Sequence, residues 1–354
     1  MSKVLNFTQK KTLTKNITPY IIAELGSNHN GDMNLAKKLI LEAQSAGADC
    51  VKFQSWTKNS VFSRHTYDKN YFLKDDYRQR EDFSLEEIVE KFSISEKQLL
   101  EMKIFCDEVG IDCTSTPFSP KEADFLVEQM ESPFIKVASM DCNNYPFLSY
   151  LAKKNLPIIL STGLSELYEI DKAVRTIEST GNNQIIILHC IAIYPPKDEE
   201  VNLERIRTLQ RIYPYPIGFS DHSIGIEIPL ASVALGACVI EKHFTLDKNM
   251  FGWDHKVSAT KEELAQIVIG AKRITSALGE GRVHSIEPDE LKSEFRRSIV
   301  LKQNINSGQL ITTDMIDFKR PGTGIGPEFA NIIVGSRAKK SLKADYPITW
   351  DDLE

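Results

Sequence analysis

The sequence predicts an α/β chain: a (β/α)8 TIM barrel followed by a small C-terminal domain. Three observations lead there. Apolar runs of strand length recur up to residue 245, and each ends abruptly in polar residues. Segments with helix signals separate the runs. Two histidines about twenty residues apart, in Phe219-Ser220-Asp221-His222-Ser223 and Glu241-Lys242-His243-Phe244, each follow such a run, the pattern of metal ligands on the ends of neighbouring parallel strands.

Eight runs can be read in order. Tyr20 to Leu25 carries Glu24 and leads to Asn28 and His29, Ala48 to Phe53 carries Lys52 and leads to Gln54, and Ile111 to Thr114 leads into Ser115-Thr116-Pro117-Phe118. Phe134 to Ala138 carries Lys136 and ends at Ser139; Ile158 to Leu160 runs into Ser161-Thr162-Gly163, and Ile185 to Leu188 into His189-Cys190. Pro216 to Phe219 and Ala237 to Ile240 lead to the two histidine segments. Between runs, Ser119-Pro120-Lys121-Glu122 offers a capping serine, a proline at the first helical position and a glutamate able to return a bond to the cap. Ser95 with Gln98 and Thr260 with Glu263 repeat the box. Leu99, Met102, Cys106 and Val109 follow the helical period, as do Leu203, Ile206 and Leu209, with Gly110 and Pro214 as stops. Eight alternations and no glycine-rich phosphate fingerprint after the first run favour a barrel over an open doubly wound sheet.

Composition excludes several classes. The 354 residues suffice for one large domain and a small one, and the net charge of -6, with both signs interspersed, points to neither nucleic acid nor an anionic membrane. Met1 to Asn6 holds no apolar stretch of signal-peptide length. The stretch Ile228 to Ile240 is interrupted by Pro229 and Gly236 and reads as a buried helix and strand rather than a membrane span. Cys50, Cys106, Cys113, Cys142, Cys190 and Cys238 show no metal-type pairing, so reduced thiols in a cytoplasmic protein are expected. A boundary falls near Gly279-Glu280-Gly281, giving a barrel over 1–280, a linker over 281–293 and a tail domain over 294–354. Within the tail, Ile305 to Ile316 is echoed at constant offset by Leu342 to Leu353.

Several segments resemble the sialic acid synthase family: Glu24 to Gly31, Lys52-Phe53-Gln54, Ser115 to Phe118, Ile135 to Ser139, Leu160 to Gly163, Ser220-Asp221-His222 and Glu241 to Thr245. Phe295 to Ser298 and Lys319 to Gly322 resemble its antifreeze-like (SAF) domain. The resemblance spans nearly the whole chain in the family's order. It implies condensation of phosphoenolpyruvate with an N-acetylated hexose to a nine-carbon 2-keto acid, with release of phosphate. Phosphoenolpyruvate needs cations and hydroxyl or amide donors; Lys52, Gln54, Thr116, Lys136, Ser139, Ser161 and Ser220 supply them, and lysines inside apolar runs require an anionic partner. By resemblance, His222 and His243 hold a divalent metal, Mn2+ with Mg2+ or Co2+ as substitutes. Asp141 stands where the family has glutamate near the reacting carbon. Glu24, Tyr194 and Asp254 face the sugar, and Arg320 reaches it from the tail of the partner chain in a homodimer. Glu241, before the metal histidine, reads as support behind it, while His29 and His189 are given no ligand role.

Departures from the family pattern cluster on the sugar side: Ala192, Trp253 and the segment 63–83. The acceptor therefore stays open between N-acetylmannosamine, a 2,4-diacetamido-trideoxyhexose and a related sugar. Two rival readings are a metal-dependent pyruvate aldolase on the same barrel and a non-catalytic sugar-binding module built on the tail.

Overall fold

An antiparallel hairpin opens the chain, β1 (Leu5–Thr8) with β2 (Lys11–Leu13), which no apolar run announces. The barrel strands follow: β3 (Tyr20–Gly26), β4 (Cys50–Gln54), β5 (Asp112–Thr116), β6 (Ile135–Val137), β7 (Ile158–Ser161), β8 (Ile185–Cys190), β9 (Ile217–Asp221) and β10 (Val239–His243). The computed structural model describes residues 4–8, 11–13, 17–70, 84–279 and 281–354. All eight barrel strands are parallel, in the order β5-β4-β3-β10-β9-β8-β7-β6. At the seam between β5 and β6, side chains stand in for the ladder: the Phe134 carbonyl accepts from Ser132 Oγ (2.8 Å) and Thr114 Oγ1 (3.2 Å).

Several strands run further than the apolar runs, β7 through Ser161, β9 through Asp221 and β10 through His243, because a backbone ladder forms whatever the side chain. Alternation then sorts those side chains. Facing into the barrel are Tyr20, Ile22 and Glu24 on β3, Cys50, Lys52 and Gln54 on β4, and Val239, Glu241 and His243 on β10. Facing out, Ile21, Ala23, Leu25, Val51, Phe53, Ile240 and Phe244 form the main core with the surrounding helices. The hairpin closes the lower end: Phe7 packs on Tyr20 and Phe134 with ring centroids 5.1 and 4.9 Å apart, and Leu13 joins the same cluster.

Capping follows the sequence at Ser95 and Thr260, where both bonds of the box form, and Gly110 ends its helix at φ +81°. At Ser119 the Oγ accepts from the Glu122 N–H (3.3 Å), and the Glu122 carboxylate also accepts from Phe118 N–H (2.6 Å), tying down the loop after β5. Ile228 to Ile240 forms the end of helix Glu227–Ala234 and the start of β10. Between β4 and helix Glu96–Val109 the described residues include helices that the sequence reading passed over, Lys58–Val61, Arg64–Lys69 and Leu85–Phe92. They carry their own core, with Trp56, Tyr67, Leu85, Val89 and Phe92. Of the expected sugar-contacting segment, 71–83 lies outside the described residues.

The chain divides into two compact units, Met1–Glu280 and Gly281–Glu354. In the second, helix Asp289–Phe295 begins within the stretch expected as linker and runs past its end, and β11 (Ser298–Leu301) pairs antiparallel with β12 (Ile316–Lys319). The echoed segments meet: Ile305 bridges Leu342, and both segments carry a 3-10 turn at matching offset, Thr313–Met315 and Trp350–Asp352. Among the described residues all six cysteines are buried and unpaired, and no helix is long and apolar enough to cross a membrane.

Because Phe7 is 2 % exposed, Phe7→Ala is expected to cost about 3–5 kcal/mol. Urea unfolding should show a lower midpoint at unchanged slope.

Candidate active site

Polar residues at the tops of the inward series converge on one cavity of about 440 Å3 at the C-terminal ends of the barrel strands, where barrels of this kind do their chemistry. Its floor is a buried charge network. Lys52 forms an ion pair with Glu24, donates to Thr116 Oγ1 (2.8 Å) and lies 3.8 Å from Glu241. Lys136 lies 3.5 Å from the other oxygen of Glu241, which also accepts from Ser220 Oγ (3.3 Å). Gln54 donates to Glu24 (2.9 Å) and accepts from the Trp56 indole (2.8 Å). Ser139 Oγ accepts from the Gly163 N–H at 3.1 Å, an approach only glycine permits, since a Cβ there would sit 2.7 Å from the same oxygen.

Protonation follows burial and pairing. Burial pushes the Glu24 carboxyl up to about 7 against the pull of Lys52. Burial also acts on Glu241, but Lys136 and Lys52 outweigh it and hold that carboxyl below its usual range. The Lys136 ammonium is lowered by burial despite Glu241. Two environments thus drive two carboxyls apart, the arrangement that separates a proton donor from a permanent anion. Ser161 Oγ and Glu241 Oε2 are buried without a hydrogen-bond partner, so the cavity holds polar atoms a ligand would satisfy.

His222 and His243 meet above the network, ring centroids 5.4 Å apart, with the Tyr194 ring stacked 4.0 Å from His222. His222 Nδ1 donates to the Ile191 carbonyl (2.7 Å), which aims Nε2 at the cavity in the manner of a metal-binding imidazole. His243 Nδ1 is buried without a hydrogen-bond partner, 3.8 Å from Asp254, and burial holds this imidazole neutral, well below its ordinary pKa. Burial works against charge on His222 as well, but Cys190 beside it draws the pKa upward. The pair fits a divalent ion that completes its shell with water and substrate. Among the described residues no group of three or more His, Cys, Asp or Glu could hold a metal.

Glu24, Lys52, Gln54, Thr116, Lys136, Ser139, Ser161, Tyr194, Ser220, His222 and His243 therefore share one cavity, and Ala192 and Trp253 line it too. Asp141 does not line it; its carboxylate accepts from Asn144 (3.0 Å) on the outer turn. Asp254 does not line it but lies 3.8 Å from His243, and Arg320 belongs to the second unit, its guanidinium 5.0 Å from the Phe295 ring. Sequence reasoning missed an apolar wall, Trp56, Val61, Phe62, Val89 and Phe118, which meets Trp253 with indoles 5.8 Å apart. Of these, Phe118 stood only as the end of the motif Ser115 to Phe118, and Trp56, two positions beyond inward-facing Gln54, carried a positional signal.

Comparison with known proteins agrees with this geometry. The NeuB family matches residues 39–283 and the SAF domain residues 296–354. An uncharacterized protein of Methanocaldococcus jannaschii is 42% identical over 94% of both chains. The N,N'-diacetyllegionaminic acid synthase of Campylobacter jejuni is 39% identical over 95% of this chain and 98% of its own. Among solved structures, the N-acetylneuraminic acid (sialic acid) synthetase of Leptospira borgpetersenii superposes with a TM-score of 0.72 at 34% identity, covering 82% of this chain and 95% of that one.

Two histidines near the site supply a pH test. Burial lowers His29 and His189 from 6.5 to about 4, so between those values the unfolded chain takes up protons that the folded chain refuses, and their contribution to stability is lost as pH falls through that window. His189→Gln, whose amide can replace the bond to the Val201 carbonyl (2.7 Å), should flatten the dependence by about 1.4 kcal/mol per pH unit. Urea midpoints measured from pH 6.5 to 4.5 check this.

Proposed function

The chain belongs to the NeuB family, and we propose that it condenses phosphoenolpyruvate with the open-chain aldehyde of an N-acetylated hexose, yielding a nine-carbon 2-keto acid and phosphate. The carrying observation is the pair of buried lysines, Lys52 and Lys136, within a ring of hydroxyls. Phosphoenolpyruvate presents a phosphate and a carboxylate, and ammonium groups surrounded by Thr116, Ser139, Ser161 and Ser220 suit both.

In the ligand-free site the lysines are neutralised by Glu24 and Glu241. An entering trianion would take over those contacts and release carboxylate capacity beside the reacting carbons. C3 of phosphoenolpyruvate then bonds to the aldehyde carbon, the aldehyde oxygen takes up a proton, and C2 becomes electron-poor. Water adds at C2 and gives up a proton; the C2–O bond to phosphate breaks, the remaining hydroxyl proton leaves, and the ketone forms. Glu24, with its carboxyl near 7, suits the proton delivered to the sugar oxygen, and Glu241, held ionised, suits the proton leaving water. His222 and His243 would hold Mn2+, or Mg2+ or Co2+, which when bound polarises the aldehyde as a Lewis acid.

The wall of Trp56, Phe62, Phe118 and Trp253 supports an acceptor whose far end is apolar, such as a 2,4-diacetamido-trideoxyhexose, over one bearing a phosphate there, because burying a charge against aromatic rings is costly. In this reading the enzyme works in the cytoplasm as a homodimer, with Arg320 contacting the sugar in the partner's barrel. A pyruvate aldolase or a sugar-binding module would release no phosphate.

Phosphate release from phosphoenolpyruvate with Mn2+ and an acceptor panel tests the reaction. His222→Ala and Lys136→Met should each lower kcat/KM by about 100-fold or more, about 3 kcal/mol, and Glu241→Gln should cost more than Asp141→Asn. Pyruvate turnover without phosphate would overturn the proposal. For the acceptor, Trp253→Ala should raise KM about tenfold, near 1.4 kcal/mol, for the deoxy sugar and leave KM for phosphoenolpyruvate unchanged.

A further inference from the structure

Outward-facing positions of β9 and β10 belong to the apolar layer between barrel and helices. Ile217 and Phe219 on β9 and Ile240 and Phe244 around β10 fill it, each 2 % exposed or less. The same faces also carry Asp221 and Lys242, 1 % and 2 % exposed and paired in register across the two strands. Neither lines the cavity. Lys242 Nζ donates to Asp221 Oδ2 (2.6 Å) and to the Ser223 carbonyl (2.7 Å), while Asp221 Oδ1 accepts from the Ser223 N–H (2.9 Å). One ammonium therefore holds the residues on both sides of His222, through the Asp221 carboxylate and the Ser223 carbonyl, and the next residue after Lys242 is His243.

A buried ion pair in an apolar layer is a weak source of stability, because desolvating both charges offsets their attraction, and apolar residues of similar size often do as well or better. What it does give is fixed geometry. We infer that Asp221 and Lys242 are positioning residues which hold the His222 and His243 imidazoles at their mutual spacing and keep His222 Nδ1 on the Ile191 carbonyl. The inference rests on the metal reading of the two histidines, and only through them does the pair act on a cation. Asp221 and Lys242 touch neither cavity nor substrate; strand alternation turns them away as it turns the histidines in.

The test compares the full chain with Lys242→Met, the doubly apolar Asp221→Leu/Lys242→Met, and the near-isosteric Asp221→Asn. Two readouts are used: Mn2+ affinity by calorimetric titration, and the His222 Nδ1–H signal by NMR of histidine-labelled, metal-free protein. Lys242→Met is expected to weaken Mn2+ binding by about 10–100-fold and to speed exchange of that proton. The double variant should regain thermal stability relative to Lys242→Met without regaining affinity, a split that a merely structural pair would not give. If affinity and proton protection return together with stability, or stay at the level of the unaltered chain in folded Lys242→Met, the inference is overturned. Should the larger changes unfold the protein, Asp221→Asn decides: a several-fold loss of affinity with faster exchange supports the clamp, and unchanged values reject it. If the unaltered chain binds no Mn2+, the metal reading fails while the NMR comparison still judges the clamp.

Discussion

Four charges stand in the mouth of the barrel with almost no access to water, and their mutual neutrality is the condition the rest of the site obeys. Glu24 and Glu241 balance Lys52 and Lys136, so none can be lost without leaving a partner buried and unpaired, which is strongly destabilising. Gln54, Thr116 and Ser220 each add a hydrogen bond to the network. The same balance shapes reactivity. An anionic substrate upsets it, and the group best suited to restore it is Glu24, whose carboxyl already titrates near 7. Binding and proton supply are thus coupled through one electrostatic constraint.

Much of this was legible because barrel strands obey a period of two. Glu24, Lys52 and Lys136 interrupt an apolar run and Ser161, Ser220 and the two histidines follow one, and a strand that continues through such positions aims alternate side chains into the mouth. Asp141 falls outside the cavity lining for a related reason. It follows β6 but lies in the turn Ser139–Asp141, where alternation no longer dictates direction. The hairpin escaped notice because its strands are of three and four residues, too short to show a period. Lys242 was read only as part of a polar motif, although its position, one residue out of phase with Glu241 and His243, already placed it on the opposite face.

The apolar wall shows what a motif cannot carry. Trp56, Phe62, Val89 and Trp253 come from three separate segments and converge only because the helices after β4 bring their own small core against the mouth. Trp56 links that core to the charge network through Gln54 and Glu24. Aromatic packing and acid placement therefore touch at one point, the Trp56 indole on the Gln54 amide. In the second unit, by contrast, the echo at constant offset was plain in sequence, because each copy repeats the same turn and pairing.

The hairpin at the lower end has a consequence for traffic. With Phe7 and Leu13 packed on the lowest inward layer, the barrel is a blind well with one opening. The buried lysines, the histidines and the aromatic wall line the same cavity at the upper end of that well. A closed floor thus makes entry and exit share a single path.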